Sequence, residues 1–373
     1  MKLSRVLSAL ILLGTMFCEP TFASEPPELS AEAWVLTDAD TGRVLAGKNA
    51  DEPRLIASTT KIMTALIALE YCDPDAEVRI EPEWTGIEGS TMYLEPDQEL
   101  TIRQLLYGLL LASGNDAAEA LACLTAGDIE SFAALMNERA EKLGCENTHF
   151  ENPSGLDGQS HYASARDLSL IAREAMANEE FRRIVSTSSA AVGDRVYTNH
   201  NRLLRECEGV IGVKTGYTEA AGRTLVSCCE REGVTLICVT LDDPDDWADH
   251  SAVYDWAFAE YETEDLLADR SWTIPVVGGA AESVVVTGAE VSVAHLPGEK
   301  LRLEAELPSF AFAPVAAGGR AGRAVACVDG ERIAEAPLYY ARSVMPESGE
   351  RPGLPAWLRI LLGFTERKAY AFI

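Results

Sequence analysis

Three short motifs in this chain together supply the groups that acyl transfer through a serine requires. They occur in the order Ser58-Thr59-Thr60-Lys61, Ser113-Gly114-Asn115 and Lys214-Thr215-Gly216. A serine hydroxyl becomes a good nucleophile only when a base takes its proton, and a neutral lysine can be that base. Each motif alone is common by chance, and the first by itself indicates a capped helix with an exposed lysine. The ordered set predicts a serine-type acyl-transfer site.

The first motif predicts the nucleophile, Ser58, and its base, Lys61. Residues i and i+3 share one face of a helix, so Lys61 can reach the Ser58 hydroxyl. Burial and a second cation lower the pKa of a lysine, and Lys214 is the candidate for that cation. At the start of a helix the backbone N–H of Ser58 would be free to stabilise a developing oxyanion.

The other two motifs predict a proton relay and a substrate-binding strand. Between two helices, the Ser113 hydroxyl could relay protons and the Asn115 amide could hold a substrate peptide group, although this segment alone indicates only a capping turn. Strand alternation sends Lys214 and Gly216 to one face and Thr215 to the other. A glycine on an edge strand permits close approach of a substrate backbone. The lysine and threonine suit a carboxylate.

Other chemistries have weaker support in the sequence. A G-x-S-x-G elbow is absent, which disfavours an α/β-hydrolase, and Val213 stands where a phosphate loop would need glycine. The scattered histidines and the lack of C-x-x-C predict no metal and no cofactor. A formal net charge of −28 disfavours a nucleic-acid partner, since phosphates would be repelled.

Hydrophobic periodicity and turn residues predict helices and strands in one α/β (α+β) domain, with a sheet flanked by helices. After about residue 272, short strands punctuated by Gly and Pro predict a small β-rich domain. The predicted elements of the first domain are a hairpin over 33–49, helices from 58, over 102–111 and 116–124 and from 128, 164 and 244, and strands over 210–214, 224–228 and 234–241.

The N-terminus predicts a signal peptide. Lys2 and Arg5 precede an apolar run, Val6 to Phe17, and Ala23 ends a stretch suited to a signal peptidase. Cleavage after Ala23 would export the protein. Of the nine cysteines, Cys18 would be lost with the signal. The others could form disulfides in an oxidising compartment or act as buried thiols, and both alternatives stay open.

The C-terminal tail, 346–373, predicts a basic amphipathic helix within a very acidic protein. Such helices often lie on membranes, which makes peripheral membrane contact our expectation. The alternative is a helix docked on the protein's own surface. The basic residues are Arg351, Arg359, Arg367 and Lys368, and the apolar face includes Trp357, Leu361 and Phe364.

The wider motif context resembles the D-alanyl-D-alanine carboxypeptidases, which are low-molecular-mass penicillin-binding proteins of the serine peptidase S11 group. The resemblance covers about 30–260 and continues more loosely over 270–345. The segments that carry it are Ala57–Thr64, Ala112–Ala117, Val213–Thr218, Asp38–Gly42, Gly89–Leu94, Asn152–Leu156, Ala165–Leu168 and Asn199–Leu204.

The resemblance implies a serine transpeptidase/β-lactamase-like fold with an antiparallel sheet, and a serine-type carboxypeptidase. Its substrate would be a peptidoglycan stem peptide ending in D-Ala-D-Ala, and β-lactam antibiotics would inhibit it. The implied domains are a signal peptide (1–23), a catalytic domain (24–265), a β-rich domain (270–345) and the tail. A serine β-lactamase and a catalytically weak wall-binding protein remain alternatives.

The resemblance also implies the site residues. The implied catalytic residues are Ser58, Lys61 and Ser113. The implied substrate-binding residues are Asn115, Lys214, Thr215, Gly216 and Tyr217, the last through its backbone N–H in the oxyanion hole.

Overall fold

The computed structural model describes residues 24–289 and 291–347. The predicted signal peptide and nearly all of the predicted tail therefore lie outside the described residues. The chain divides into two compact units. The first runs to Glu264 and also includes Ser292–Lys300, and the second comprises Asp265–Val291 and the chain from Leu301 onward.

The strands and helices are numbered in chain order. The strands of the described residues are β1 (Ala33–Asp38), β2 (Val44–Lys48), β3 (Glu77–Arg79), β4 (Glu99–Thr101), β5 (Ser189–Val192), β6 (Arg195–Thr198), β7 (Val210–Thr218), β8 (Gly222–Arg231), β9 (Val234–Leu241), β10 (Glu262–Asp265), β11 (Trp272–Val277), β12 (Ser283–Gly288), β13 (Ser292–His295), β14 (Leu301–Glu306), β15 (Ala311–Phe312), β16 (Arg320–Val328) and β17 (Glu331–Tyr340). The α-helices are α1 (Lys61–Tyr71), α2 (Ile102–Leu111), α3 (Asn115–Ala126), α4 (Ile129–Lys142), α5 (Ala165–Ala177), α6 (Glu179–Val185), α7 (Leu203–Glu206) and α8 (Asp246–Glu260).

The first unit is built on a five-stranded sheet in the order β2-β1-β9-β8-β7, and its neighbouring strands are antiparallel. Alternation along β8 sends Val226 into the core that contains α1 to α6 and Leu225 into the core that contains α8. Both faces of the sheet are therefore covered. The predicted α/β (α+β) class with an antiparallel sheet flanked by helices is confirmed.

Local sequence signals explain where the helices near the site begin. The Thr101 and Gln104 side chains form a capping box at the start of α2. Asp128 caps α4 by accepting a hydrogen bond from the Ser131 N–H, and Ser164 caps α5 in the same way. The helix predicted from residue 58 differs slightly, because a 3-10 turn over Ala57–Thr60 precedes α1.

The second unit contains a six-stranded sheet in the order β14-β16-β17-β12-β11-β15. Its core includes Val284, Val286 and Leu338, which confirms that this part of the chain is β-rich. One segment differs from the sequence interpretation: Ser292–Lys300 groups with the first unit, because β13 pairs with β10. Strand periodicity identifies a strand but cannot say which sheet it joins.

No helix within residues 24–289 and 291–347 has both the length and the apolarity needed to cross a membrane.

Candidate active site

The Ser58 hydroxyl lies on a turn whose surroundings are buried. Ser58 is partly exposed, whereas all the remaining residues from 56 to 68 are buried. The residue before it, Ala57, has a φ of 45°, a left-handed conformation that costs a non-glycine residue free energy. Such strain persists only where the surrounding structure enforces it. The fold therefore holds one accessible hydroxyl on a rigid, strained turn.

A buried hydrogen-bond chain braces this turn. The Thr60 hydroxyl donates to the Ala57 carbonyl oxygen over 2.8 Å, and His161 Nε2 lies 2.7 Å from the same hydroxyl oxygen. The Glu151 N–H donates to His161 Nδ1, which places the proton of the neutral ring on Nε2. Burial, reinforced by His149 and Lys61, lowers the pKa of His161 to about 4. His161 is therefore a neutral donor that holds Thr60 against Ala57.

Gly155 packs closely against the Ala57 carbonyl group. Gly155 has a φ of +86°, and a Cβ on it would lie 1.9 Å from the Ala57 carbonyl oxygen. Only glycine fits at this position, because a side chain would both strain the backbone and displace the turn.

Lys61 is completely buried directly beneath Ser58. Its Nζ lies 2.9 Å from Ser58 Oγ and 2.7 Å from Asn115 Oδ1, and it also donates to the Ser154 carbonyl oxygen. A neutral amine has two N–H groups and one lone pair. The two carbonyl acceptors take the N–H groups, so the lone pair faces the Ser58 hydroxyl. Burial and then the nearby Lys214 ammonium lower the pKa of Lys61 well below its ordinary value.

The second lysine, Lys214, is paired with Ser113. Its Nζ lies 3.1 Å from Ser113 Oγ and donates to the Thr215 carbonyl oxygen over 2.7 Å. Burial lowers the pKa of Lys214 to about 7. Ser113 has a φ of 60° at the junction of α2 and α3, another strained non-glycine residue at this site. The structure thus brings Ser113 and Lys214 together, and Lys214 close enough to influence Lys61.

Asn115 is the first residue of α3, and its amide is largely engaged with the protein itself. Its Oδ1 accepts from Lys61, and its Nδ2 donates to the Glu88 carbonyl oxygen over 2.7 Å. A side-chain amide has two N–H groups, so one remains for a substrate. Asn115 therefore orients Lys61 in addition to the substrate contact that the sequence predicts.

Strand β7 carries the third motif along one edge of the sheet. In the described part of the chain, β7 pairs with β8 on one side only. A Cβ on Gly216 would lie 2.4 Å from Thr224 Oγ1 and 3.0 Å from the Ser58 N atom. The glycine is thus needed for contact with the protein's own turn, a reason that the sequence did not reveal. Thr215 is half-buried, and the Tyr217 side chain is 65% exposed.

Sequence reasoning assigned no role to Asp116, which the structure places at the centre of a buried loop anchor. Its carboxylate accepts hydrogen bonds from the Thr91 hydroxyl and from the backbone N–H groups of Met92 and Leu94, over 2.5, 3.0 and 3.0 Å. These bonds fix the loop that presents the Glu88 carbonyl to Asn115. A charged residue in the first turn of an alanine- and leucine-rich helix was the available signal. The roles of Ser154, Gly155 and His161 had no comparable signal, because they depend on long-range contacts.

A cavity of about 650 Å³ lies beside these groups. It borders Ala112, the residue before the second motif, and the loop that contacts Asn115, so it offers space for a substrate near Ser113. Its lining includes Gly89, Ser90, Thr91, Ala112, Tyr197 and His200. Within the residues that the structure describes, no group of three or more His, Cys, Asp or Glu side chains could hold a metal ion.

Comparison with known proteins identifies the family. The sequence model of Peptidase_S11, described as D-alanyl-D-alanine carboxypeptidase, matches residues 20–245. The chain belongs to the D-alanyl-D-alanine carboxypeptidase family. It is therefore a peptidase of the class that the motif context predicted.

Two curated members of the D-alanyl-D-alanine carboxypeptidase family and one solved structure extend the likeness beyond the catalytic unit. The chain is 34% identical to the carboxypeptidase DacF of Bacillus subtilis, over 93% of this chain and 96% of that protein. It is 31% identical to DacC of Escherichia coli, over 88% and 89% of the two chains. Penicillin binding protein 5 from Haemophilus influenzae superposes with a TM-score of 0.72 at 29% identity, covering 87% of this chain and 100% of that chain.

Proposed function

We propose that this member of the family removes the terminal D-alanine from peptidoglycan stem peptides through an acyl-enzyme on Ser58. The observation that carries the proposal is the environment of Lys61. The amine is buried, its two N–H groups have carbonyl acceptors, and its remaining position faces Ser58 Oγ at 2.9 Å. This is the geometry that a neutral lysine base requires.

In the acylation step, Ser58 Oγ attacks the carbonyl carbon of the penultimate D-alanine as its proton passes to Lys61 Nζ. The carbonyl oxygen becomes an oxyanion, which the backbone N–H groups of Ser58 and Tyr217 stabilise. The tetrahedral intermediate then collapses and breaks the peptide bond. The departing amine of D-alanine takes a proton, which the Ser113 hydroxyl can relay from Lys214, and Lys214 lies 3.1 Å from that hydroxyl.

Before deacylation, the proton that Lys61 took from Ser58 passes on to Lys214, which has just given one to the leaving amine, so Lys61 is neutral again. In the deacylation step, a water molecule attacks the ester carbonyl and gives a proton to Lys61 Nζ. The ester bond to Ser58 Oγ breaks, the serine regains a proton, and the shortened peptide leaves with a free carboxylate. The same base thus serves both half-reactions, so no additional residue is needed for the second.

Substrate recognition combines a site for the terminal carboxylate with a strand edge that binds the peptide backbone. Lys214 and the Thr215 hydroxyl would bind the terminal carboxylate. An anion beside Lys214 raises the pKa of this lysine from about 7, so the bound substrate favours its charged form. The free edge of β7 and the remaining N–H of Asn115 suit an extended peptide.

A single mass-spectrometric experiment tests this function. We expect purified protein treated with penicillin to carry a covalent penicilloyl group on Ser58 that lasts minutes or longer, because the β-lactam mimics the dipeptide end. We also expect free D-alanine from a peptide ending in D-Ala-D-Ala. Rapid hydrolysis of the penicillin would favour a β-lactamase instead, and an adduct on another residue would refute the mechanism.

We further propose that the protein is exported and acts on the outer side of the cytoplasmic membrane. The signal-like N-terminus supports export, and the basic tail supports peripheral membrane contact. The whole chain, with the tail included, carries a formal net charge of −28, which an anionic membrane would repel. The positive charges of the tail would offset this repulsion locally.

Deleting 351–373 is expected to move the protein from the membrane fraction to the soluble fraction. Hydrolysis of a small soluble peptide should change little, because the catalytic motifs lie far upstream. Flotation with liposomes that contain or lack anionic lipid measures the effect. Replacing the four basic residues of the tail by glutamine separates charge from apolar contact, since it should weaken only the anionic-lipid binding. Equal flotation of the full-length and deleted forms would mean that the tail is not an anchor.

A further inference from the structure

Cys207 and Cys229 lie close together at the start of β7, outside the Ser58 site. Cys207 follows α7, and Cys229 lies in β8 opposite Val210, near the start of β7. The Cys207 Sγ lies 3.9 Å from the Glu208 carbonyl oxygen, and the Cys229 Sγ lies 3.4 Å from the same atom. Each thiol also shifts the pKa of the other. Both sulfurs therefore share one small site.

The site also holds a positive charge. The Arg231 guanidinium lies beside Cys207, with Nη2 3.5 Å from its Sγ, and its Nε donates to the Glu208 carbonyl oxygen over 3.0 Å. Interaction with Cys229 lowers the pKa of Cys207 against the opposing effect of burial, and Ser251 and Arg231 add to the lowering. The same pairing and burial raise the pKa of Cys229. The thiolate is thus favoured at Cys207 over Cys229.

The two sulfurs differ in access. Cys207 is partly exposed, whereas Cys229 is fully buried beneath it. A cavity of about 980 Å³ is lined by Glu208, Gly209 and Arg231, the residues that surround the pair. An accessible low-pKa thiol with a buried thiol partner is the arrangement of an attacking cysteine and a resolving cysteine.

We propose that Cys207 and Cys229 are a redox-active pair that closes into a disulfide when the protein meets a small disulfide oxidant. The Cys207 thiolate attacks one sulfur of the oxidant, forms a mixed disulfide and releases one thiolate. Cys229 then loses its proton to water and attacks Cys207 Sγ, which expels the second thiolate. Two protein thiols are oxidised to one disulfide, and the oxidant disulfide is reduced to two thiols. The export proposed above would bring the protein into an oxidising compartment.

The bond would tie the α7–β7 junction to β8. Lys214 and Thr215 lie in the middle of β7, so the link would fix one end of the strand that presents the substrate-binding groups. It would close the segment 207–229 and reduce the freedom of the unfolded chain. A closed segment of this length is expected to raise the melting temperature by roughly 5 °C or more.

The experiment uses the full chain equilibrated with oxidised and reduced glutathione, then alkylated, digested with trypsin and measured by mass spectrometry. The expected product is a disulfide between the peptides 206–214 and 224–231, which dithiothreitol separates. The second peptide also contains Cys228, which provides a matched control. Strand alternation places Cys228 in the opposite core from Cys229. The link should therefore persist in Cys228→Ala and disappear in Cys229→Ala and Cys207→Ser.

The proposal would be overturned if folded wild-type protein formed no such link, if the link survived in Cys229→Ala, or if each thiol carried only glutathione. Alkylation of the reduced wild type gives a test that needs no variant. Iodoacetamide should modify Cys207 faster than the other cysteines of the described chain, with a rate that begins to rise at a lower pH than theirs. Equal reactivity of all of them would contradict the proposal. Penicillin acylation measured in parallel separates this outcome from failure of the Ser58 mechanism.

Discussion

Ser58→Ala is expected to abolish penicillin acylation and D-alanine release while leaving the protein folded. The substitution removes the only atom that forms the acyl bond, so the loss of kcat should be on the order of 10⁵-fold or more. The fold should tolerate it, because Ser58 is partly exposed and the brace on the turn uses Ala57, Thr60 and His161. Mass spectrometry of the penicillin adduct, peptide hydrolysis and thermal unfolding measure the three consequences.

A matched control for this substitution is Ser186→Ala. Ser186 is an exposed serine at the end of α6, where its hydroxyl donates only to the Arg183 carbonyl oxygen among the contacts described. Its loss should leave acylation unchanged. Persistent acylation of the Ser58→Ala protein would assign the nucleophile to a different residue.

Lys61→Ala is expected to lower the acylation rate by about 10²–10⁴-fold, the usual contribution of a general base. The substitution leaves the Ser58 hydroxyl without a proton acceptor at 2.9 Å. In the wild type, acylation should fall as the pH falls through the depressed pKa of Lys61, because protonation removes the lone pair that faces Ser58. The variant should lose this limb of the pH profile. Stopped-flow acylation at several pH values measures both effects.

Folding needs a separate check in this variant, because Asn115 Oδ1 and the Ser154 carbonyl lose a buried donor. Lys61→Met keeps more of the buried volume and should show the same kinetic defect. Lys142→Ala is the control for an exposed lysine, which pairs only with Glu138 among the contacts described. Near-normal acylation by either Lys61 variant would show that another group is the base.

The local parts of the site could be predicted from the sequence. The spacing of Ser58 and Lys61 depends on one helical turn, and the two groups do meet at 2.9 Å. The beginnings of α4 and α5 follow from Asp128 and Ser164, whose side chains cap backbone N–H groups within three residues. Strand β9 covers Val234–Leu241 as predicted, since its apolar run is bounded by glycine and proline.

Other features required the folded chain because their partners are remote in sequence. The Ser154 carbonyl on Lys61, the Ser113 hydroxyl on Lys214 and the His161 ring on Thr60 join residues about a hundred positions apart. No local pattern specifies such a contact. It forms only when packing of the sheet and helices brings the segments together and offsets the entropy of closing the intervening chain.

The sequence by itself determined the family, the order of the three motifs and the α/β (α+β) class, because these depend on residue types and on interactions within a few positions. Tertiary structure decided which sulfur faces Cys207, since the register of β8 sends Cys229 and Cys228 to opposite cores. It also decided that Gly216 is needed beside the Ser58 turn and that Ser292–Lys300 belongs with the first unit. The physical reason is common to all three. Strand pairing and close packing are set by the free energy of the whole chain, which no short segment contains.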